Sequence, residues 1–219
     1  MELKKMDSYD VTDLRSLEKL EPVRVRPGMY IGSTGNKGLH HCIWEIIDNS
    51  IDEISNGFGD KVTITINEDK SITILDNGRG IPTGIHPTKK KSGVEMVFTE
   101  LHTGGKFDNK NYKTSGGLHG VGAAVVNALS KFLEVEVYQN GKVYRQRFEY
   151  AYDKELKRDM PGTPVTDLEI VGKSIKTGTK VTFKPDNEIF STTDFKFDII
   201  DERLQELAFQ NKGIRLELI

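Results

Sequence analysis

Cysteine is almost missing. Cys42 is the one cysteine in 219 residues, so no internal disulfide can form, which argues against an oxidised, stapled scaffold. A chain this long buries enough surface to do without staples. Long apolar runs are missing too. None approaches the ~20 residues of a membrane span, and Met1-Glu2-Leu3-Lys4-Lys5 lacks the apolar core of a secretion signal. There is no excess of either charge: 31 Lys+Arg face 33 Asp+Glu, a net of −2. A surface that grips a duplex is usually net basic, which argues against this region being a nucleic-acid grip by itself. The run Lys89-Lys90-Lys91 is short and reads as a solvated loop. These absences predict a soluble cytoplasmic protein of one large domain or two small ones.

Glycine, by contrast, is abundant. There are 21, and ten of them (Gly78, Gly80, Gly84, Gly93, Gly104, Gly105, Gly116, Gly117, Gly120 and Gly122) fall within residues 78–122. The usual share is about 7%. The glycines are interleaved with Asp, Arg, Pro, His, Lys and apolar residues, so the segment is not low-complexity. It needs backbone without side chains.

Along the chain, residues 1–12 are polar and aperiodic, and read as an arm. Leu14, Leu17 and Leu20 suggest a short helix over 11–20. In 38–56, Leu39, Ile43, Ile46, Ile47, Ile51 and Ile54 recur at three and four, which predicts a helix with one buried face. Alternation predicts strands at 61–66, 71–75, 132–138, 142–150, 165–171, 179–183 and 214–219, with Asn140-Gly141 turning a hairpin. Helices are expected at 94–101, 121–130 and 193–210. The charged stretch 151–163, with Pro161 and Gly162, reads as a loop. This order does not alternate regularly. It predicts an α+β two-layer sandwich, a mixed, mostly antiparallel sheet with helices on one face. The end within an apolar run suggests a fragment of something longer.

A glycine cluster suggests phosphate binding, but the common motifs fail. Gly105-Lys106 is followed by Phe107 and has Glu100 five residues before Gly105, which breaks the Walker pattern twice. Gly120-Val121-Gly122 continues to Val125, which breaks the dinucleotide fingerprint, and Gly78-Arg79-Gly80 runs into Pro82. Protein-kinase signatures are absent.

A four-part pattern remains. His41, Glu45 and Asn49 are spaced i, i+4, i+8 along one edge of the helix 38–56, with Asp52 and Glu53 nearby. An imidazole can orient a carboxylate acting as general base, and an Asn oxygen suits Mg²⁺. Alone, the set reads more readily as a solvated polar stripe opposite the apolar face. Next, Asp76-Asn77-Gly78-Arg79-Gly80-Ile81-Pro82 ends a strand. Its Asp could accept from an exocyclic amine while the glycines admit a flat ring; alone, it is an Asn-Gly turn. Then Thr103-Gly104-Gly105-Lys106-Phe107 with Tyr112-Lys113-Thr114-Ser115 reads as a hinged loop carrying a cation, or a plain surface loop. Last, Gly116-Gly117-Leu118-His119-Gly120-Val121-Gly122 opens a helix, where bare N–H groups can cradle an anion. Thr177-Gly178-Thr179 could place a hydroxyl near a base.

Together, Glu45…Asn49, Asp76-x-Gly78-x-Gly80 and Gly117-Leu118-His119-Gly120-Val121-Gly122 resemble the Bergerat ATP-binding superfamily. It includes type IIA topoisomerases, heat-shock chaperones, mismatch-repair proteins and sensor histidine kinases. Arg26-Pro27-Gly28-Met29-Tyr30-Ile31-Gly32-Ser33, Gly38-Leu39-His40-His41, Asp76 to Gly84, and Gly104-Gly105-Lys106-Phe107 narrow the resemblance to bacterial type IIA topoisomerase ATPase subunits. These are the B subunit of gyrase and its topoisomerase IV paralogue. Ile43 to Asn49 and Phe190 to Phe195 resemble the topoisomerase IV paralogue more.

The resemblance implies ATP and Mg²⁺ as cofactors, hydrolysis, and the Bergerat fold. It makes Glu45 the general base with His41 orienting it, and gives the metal to Asn49. Asp76 would read the adenine amine, with Thr179 nearby through water. Arg79 and Pro82 would floor the adenine pocket, with Glu53 and Gly80 beside them. Lys106, with Gly104, Gly105 and Tyr112, would close on the phosphates. Gly117, Leu118, His119, Gly120, Val121, Gly122 and Ala123 would cradle them. Tyr9, in an arm over 1–20, would reach the nucleotide of a second copy. ATP would then dimerise the ATPase domain, 21–219, as a gate for DNA strand passage. The topoisomerase's A subunit, which carries the cleaving tyrosine, would complete a heterotetramer. A non-catalytic, chaperone-like sensing clamp is the alternative. Aminocoumarins would bind the site, but Gln139 stands where the family often has the arginine that contacts them. The transducer domain, whose lysine contacts the γ-phosphate, lies outside this sequence.

Overall fold

A computed structural model describes residues 11, 14, 16–103 and 120–219. The fold is α+β, with eight strands in one mixed sheet. The elements run α1 (Glu21–Val25), α2 (Gly28–Ile31), α3 (Asn36–Ser55), β1 (Lys61–Ile66), β2 (Ile72–Asp76), α4 (Gly93–Thr99), α5 (Gly122–Ala128), β3 (Ser130–Gln139), β4 (Lys142–Asp153), β5 (Arg158–Pro164), β6 (Glu169–Lys173), β7 (Gly178–Pro185), α6 (Phe197–Gln210) and β8 (Arg215–Leu218). Strand order is β5-β4-β3-β7-β2-β1-β8, with β6 also on β4. β1 and β8 pair in parallel and the other pairs are antiparallel.

The alternation predicted for the strands sorts the sheet into two faces. Val62, Ile64, Ile72, Ile74, Leu133, Val135, Val137, Val181 and Phe183 are buried under the helices with Leu39, Ile43, Ile47, Val94, Phe98 and Val126. The opposite face carries charges and hydroxyls: Glu134 with Arg147, Glu136 with Lys180, and Thr73 with Thr182. α3 crosses the buried face, as its apolar stripe requires. It starts where Ser33 Oγ accepts from Gly38 N at 3.2 Å, and a Cβ on Gly38 would fall 1.7 Å from the Ser33 carbonyl oxygen. It stops at Asn56 and Gly57, the latter at φ +91°. Ser92 caps α4 by accepting from Glu95 N. Asn140 and Gly141 both take positive φ, as the two-residue hairpin turn needs.

Three expectations are corrected. Among the described residues of 11–20 there is no α-helix; the first begins at Glu21, where Pro22 suits an opening turn. Residues 151–163 are not a loop, because β4 runs to Asp153 and β5 returns from Arg158. β5 tolerates Pro161 and Gly162 because the register slips there, between Glu149↔Thr163 and Ala151↔Met160. The strand expected at 165–171 forms later, at Glu169–Lys173.

α1 and the residues before it are fastened by charge. Lys19 Nζ lies 2.6 Å from Asp153 and 2.7 Å from Glu155. Arg158 forms a two-pronged pair with Glu21, and Arg24 pairs with Asp186 and donates to the Ala128 carbonyl. Leu20 and Val23 sit in the core between these pairs.

Candidate functional site

One edge of α3, the end of β2, the loop after it, the start of β7 and the start of α5 converge. Helical spacing sets His41 above Glu45, and His41 Nε2 lies 3.0 Å from Glu45 Oε1. The imidazole titrates above its ordinary value. The hydrogen bond to Glu45 is the main cause, with the charges of Glu45 and Asp48 adding to it and partial burial and Lys37 opposing it. One turn on, Asn49 Nδ2 donates to the Glu45 carbonyl at 2.9 Å. That bond fixes which end of the amide is oxygen.

Glu45 Oε2 points at α5. A Cβ built on Gly122 would lie 1.8 Å from that oxygen and 2.8 Å from the carboxylate carbon. Gly122 is the first residue of α5, where N–H groups have no partner within the helix. The glycine lets a carboxylate and the start of a helix share this space. Val121 precedes it, Ala123 is buried behind it, and the Gly120 carbonyl accepts from Thr103 N.

Asp76 ends β2 as a buried carboxylate, 7% exposed. Its Oδ1 accepts from Gly78 N at 2.9 Å and from Thr179 N at 3.1 Å. Its Oδ2 accepts from Ser50 Oγ at 3.1 Å. Burial pushes its pKa above the usual carboxylate range. The three hydrogen bonds work against that, and the nearby charge of Glu53 adds to it. Gly178, at φ +140°, lets β7 pass this corner, since a Cβ there would meet the Asp76 carbonyl oxygen at 2.0 Å.

The loop after β2 is held on both sides. Arg79 makes a two-pronged pair with Glu53, at 3.0 and 2.8 Å, and its guanidinium stacks 3.7 Å above the Phe58 ring. Gly80 turns at φ +82° against Val137 and the Gly178 carbonyl. Thr179 Oγ1 accepts from Ile81 N. Pro82 is exposed, and its carbonyl sits against Gly93, the first residue of α4. Gln139 accepts from Thr83 Oγ1 and donates to the Arg79 carbonyl, each at 3.3 Å.

Residues 34–189 match the family model described as "Histidine kinase-, DNA gyrase B-, and HSP90-like ATPase". The chain belongs to this ATPase family. It is 56% identical over 217 residues to the B subunit of DNA topoisomerase 4 from Staphylococcus epidermidis. It is 53% identical over 216 residues to the B subunit of DNA gyrase from Halalkalibacterium halodurans, and 52% over 212 to that of Thermotoga maritima. These alignments take in 97–99% of this chain but only 31–32% of each relative, so the chain spans about a third of their length.

For this ATPase-family chain, the structure brings together Glu45, His41, Asn49, Glu53, Asp76, Arg79, Gly80, Pro82, Gly120, Val121, Gly122, Ala123 and Thr179. The other candidates (Tyr9, Gly104, Gly105, Lys106, Tyr112, Gly117, Leu118 and His119) lie outside the described residues. Sequence reasoning missed Ser50 and the bracing role of Gln139. Ser50 had a signal: it is a hydroxyl inside an apolar stripe, four residues after Ile46 and next to Ile51. Gln139 had none, because its partners are 56 and 60 residues away.

Proposed function

We propose that this chain binds ATP with Mg²⁺ and hydrolyses it, as the ATPase part of the B subunit of a type IIA DNA topoisomerase. The observation that carries the reading is the Glu45 carboxylate aimed at the glycine start of α5, with His41 behind it. A phosphate chain bound there would meet backbone N–H groups at one end and a carboxylate base at the other.

Each residue then has a chemical role. Asp76 offers an acceptor to the amine of adenine, and Gly78 and Gly80 let the ring lie close to backbone. Glu45 takes a proton from the attacking water, and His41 holds the carboxylate in place. The residues fit a magnesium ion that shares its shell with phosphate. Asn49 turns its Nδ2 to the Glu45 carbonyl, so the amide oxygen is the end that would meet the ion. When bound, such an ion neutralises phosphate charge. The glycine-rich stretch 104–119 would supply the lid, with Lys106.

On this reading ATP draws two copies together through the arm 1–20, with Tyr9 reaching the other copy's nucleotide. The dimer gates DNA passage in a cytoplasmic assembly with the topoisomerase's A subunit. The domain is 21–219. Aminocoumarins would occupy the adenine end, weakened by Gln139 in place of arginine. The similarity to the B subunits of topoisomerase 4 and gyrase supports this larger assignment.

The test is Glu45→Ala, with nucleotide binding followed by calorimetry and hydrolysis by phosphate release. Binding retained with hydrolysis abolished is expected. Lost binding, or unchanged hydrolysis, would overturn the assignment of the base.

A further inference from the structure

The hydroxyl of Ser50 touches the one carboxylate oxygen on which a base amine could settle. Asp76 Oδ1 already accepts two backbone N–H groups, from Gly78 and Thr179. An oxygen with two good donors has its lone pairs used. An incoming amine must therefore share Oδ2, where Ser50 Oγ donates at 3.1 Å. Ser50 is itself 3% exposed and lies among Ile46, Ile47 and Ile51. A buried hydroxyl on an apolar stripe is costly unless bonded, and the bond given to it runs to Asp76.

We propose that Ser50 is a positioning residue that sets base choice. By donating to Oδ2 it keeps Asp76 an ionised acceptor, so the site takes a purine with a 6-amino group and rejects one with a 6-oxo group. This rests on the reading that Asp76 faces the base. An ionised carboxylate accepts from an amine and repels a carbonyl oxygen. A protonated carboxyl can donate, and would welcome that same carbonyl. The balance between the two forms is therefore a specificity device. Burial drives Asp76 toward the protonated form, and Ser50, Gly78 N and Thr179 N draw it back. The backbone donors cannot be changed by a side-chain substitution, but Ser50 can.

The charged groups on the elements packed around Asp76 leave this role to Ser50. Glu53 on α3 favours the protonated form, but Arg79 holds it. Lys61 on β1 is paired with Glu217, and Lys180 on β7 with Glu136.

The experiment measures ATP and inosine triphosphate binding by calorimetry across the acid-to-neutral range. The proteins are the 219-residue chain, Ser50→Ala and Ser50→Thr. The parent chain should prefer ATP. Ser50→Ala should cut the ATP-to-inosine-triphosphate ratio about tenfold, the worth of one hydrogen bond to a charged group. The acid-side loss of ATP binding should move to higher pH, and Ser50→Thr should restore both. A purely packing role for Ser50 would lower both affinities alike and leave the pH limb in place, which overturns the proposal. Should Ser50→Ala melt below the assay temperature, Ser50→Cys, close in size and a weak donor, replaces it with the same expected loss. The underlying reading fails differently: the parent chain would then show no preference between the two nucleotides, and Asp76→Asn would leave ATP binding intact.

Discussion

Glu45 and Gly122 occupy one space: the carboxylate of the first stands where a side chain on the second would begin. Alanine at 122 suits a helix start, so Gly122→Ala should leave α5 formed. Its methyl would fall 1.8 Å from Oε2 and evict the carboxylate. Hydrolysis should fall about 100-fold or more, the usual worth of a placed general base, while melting temperature changes little. Phosphate-release kinetics with a thermal melt check this. Full activity in Gly122→Ala would show that Glu45 can work from another position.

His41 gives the site a pH dependence with a definite sign. Its pKa is raised in the folded chain, mainly by the bond to Glu45. On the proposed reading of Glu45 as the base, a protonated His41 would weaken it through its charge, whereas a neutral His41 would still orient it. Turnover should therefore climb as pH rises through a midpoint above the ordinary imidazole value of about 6.5. That midpoint belongs to the pair rather than to either residue. Stability runs the other way. The contribution of the pair is complete below the unfolded imidazole pKa and is lost as pH rises through the folded one. His41→Asn should remove both trends. Rate and melting profiles over the same pH series measure them, and a parent profile flat through this window would contradict the coupling.

Asp76→Asn separates binding from folding. An asparagine oxygen can accept from Gly78 N and Thr179 N as Oδ1 does, and its amide can donate to Ser50. The variant therefore gives up a buried charge without orphaning its neighbours. The apo chain should melt no lower than the parent. Because the folded-state pKa of Asp76 is raised, the parent gains stability as pH falls. Any advantage of the variant should then shrink in acid. ATP affinity should drop about tenfold to 100-fold for loss of a charge-assisted bond. Calorimetry paired with melts at two pH values decides the matter, and unchanged affinity would remove Asp76 from the base.

Periodicity carried most of the fold. Helix α3, strands β1, β2, β3 and β7, and the Asn140-Gly141 turn were legible because each is set by local spacing or local dihedral preference. The 151–163 stretch was not legible. Its strand exists through pairing with β4, and the bulge that accommodates Pro161 is a property of that pairing. The site divides the same way. Glu45, His41 and Asn49 announce themselves by helical spacing. Asp76 and the glycines announce themselves as a motif, though not the reason for each glycine. Gly122 and Gly178 clear room for Glu45 and for the Asp76 carbonyl, partners 77 and 102 residues away, which only the folded chain can show. The hydroxyl of Ser50 stands out in the apolar stripe of α3, but its partner, Asp76 at the end of β2, is 26 residues away and shows only in the folded chain.

Arg24 and Asp186 give a test of how the segment before α2 is tied down. Both side chains are largely buried, at 13% and 9% exposed. Arg24 also donates to the Ala128 carbonyl, and Asp186 Oδ1 accepts from Glu188 N. Asp186→Ala leaves a guanidinium short of its main partner and a backbone N–H without its acceptor. Glu188, 80% exposed and 3.5 Å away, can replace only part of that charge. Removing one side of a buried pair usually costs 3–5 kcal/mol, so with that partial substitute about 2 kcal/mol is expected. For a chain of this size that is a fall of about 4–8 °C in melting temperature. Arg24→Met with Asp186→Ala should recover much of it, because a buried pair replaced by apolar groups costs far less than a pair broken in half. A double variant no more stable than Asp186→Ala alone would show that the bond to Ala128 and the cap at Glu188, rather than the ion pair, hold α1 against the end of β7.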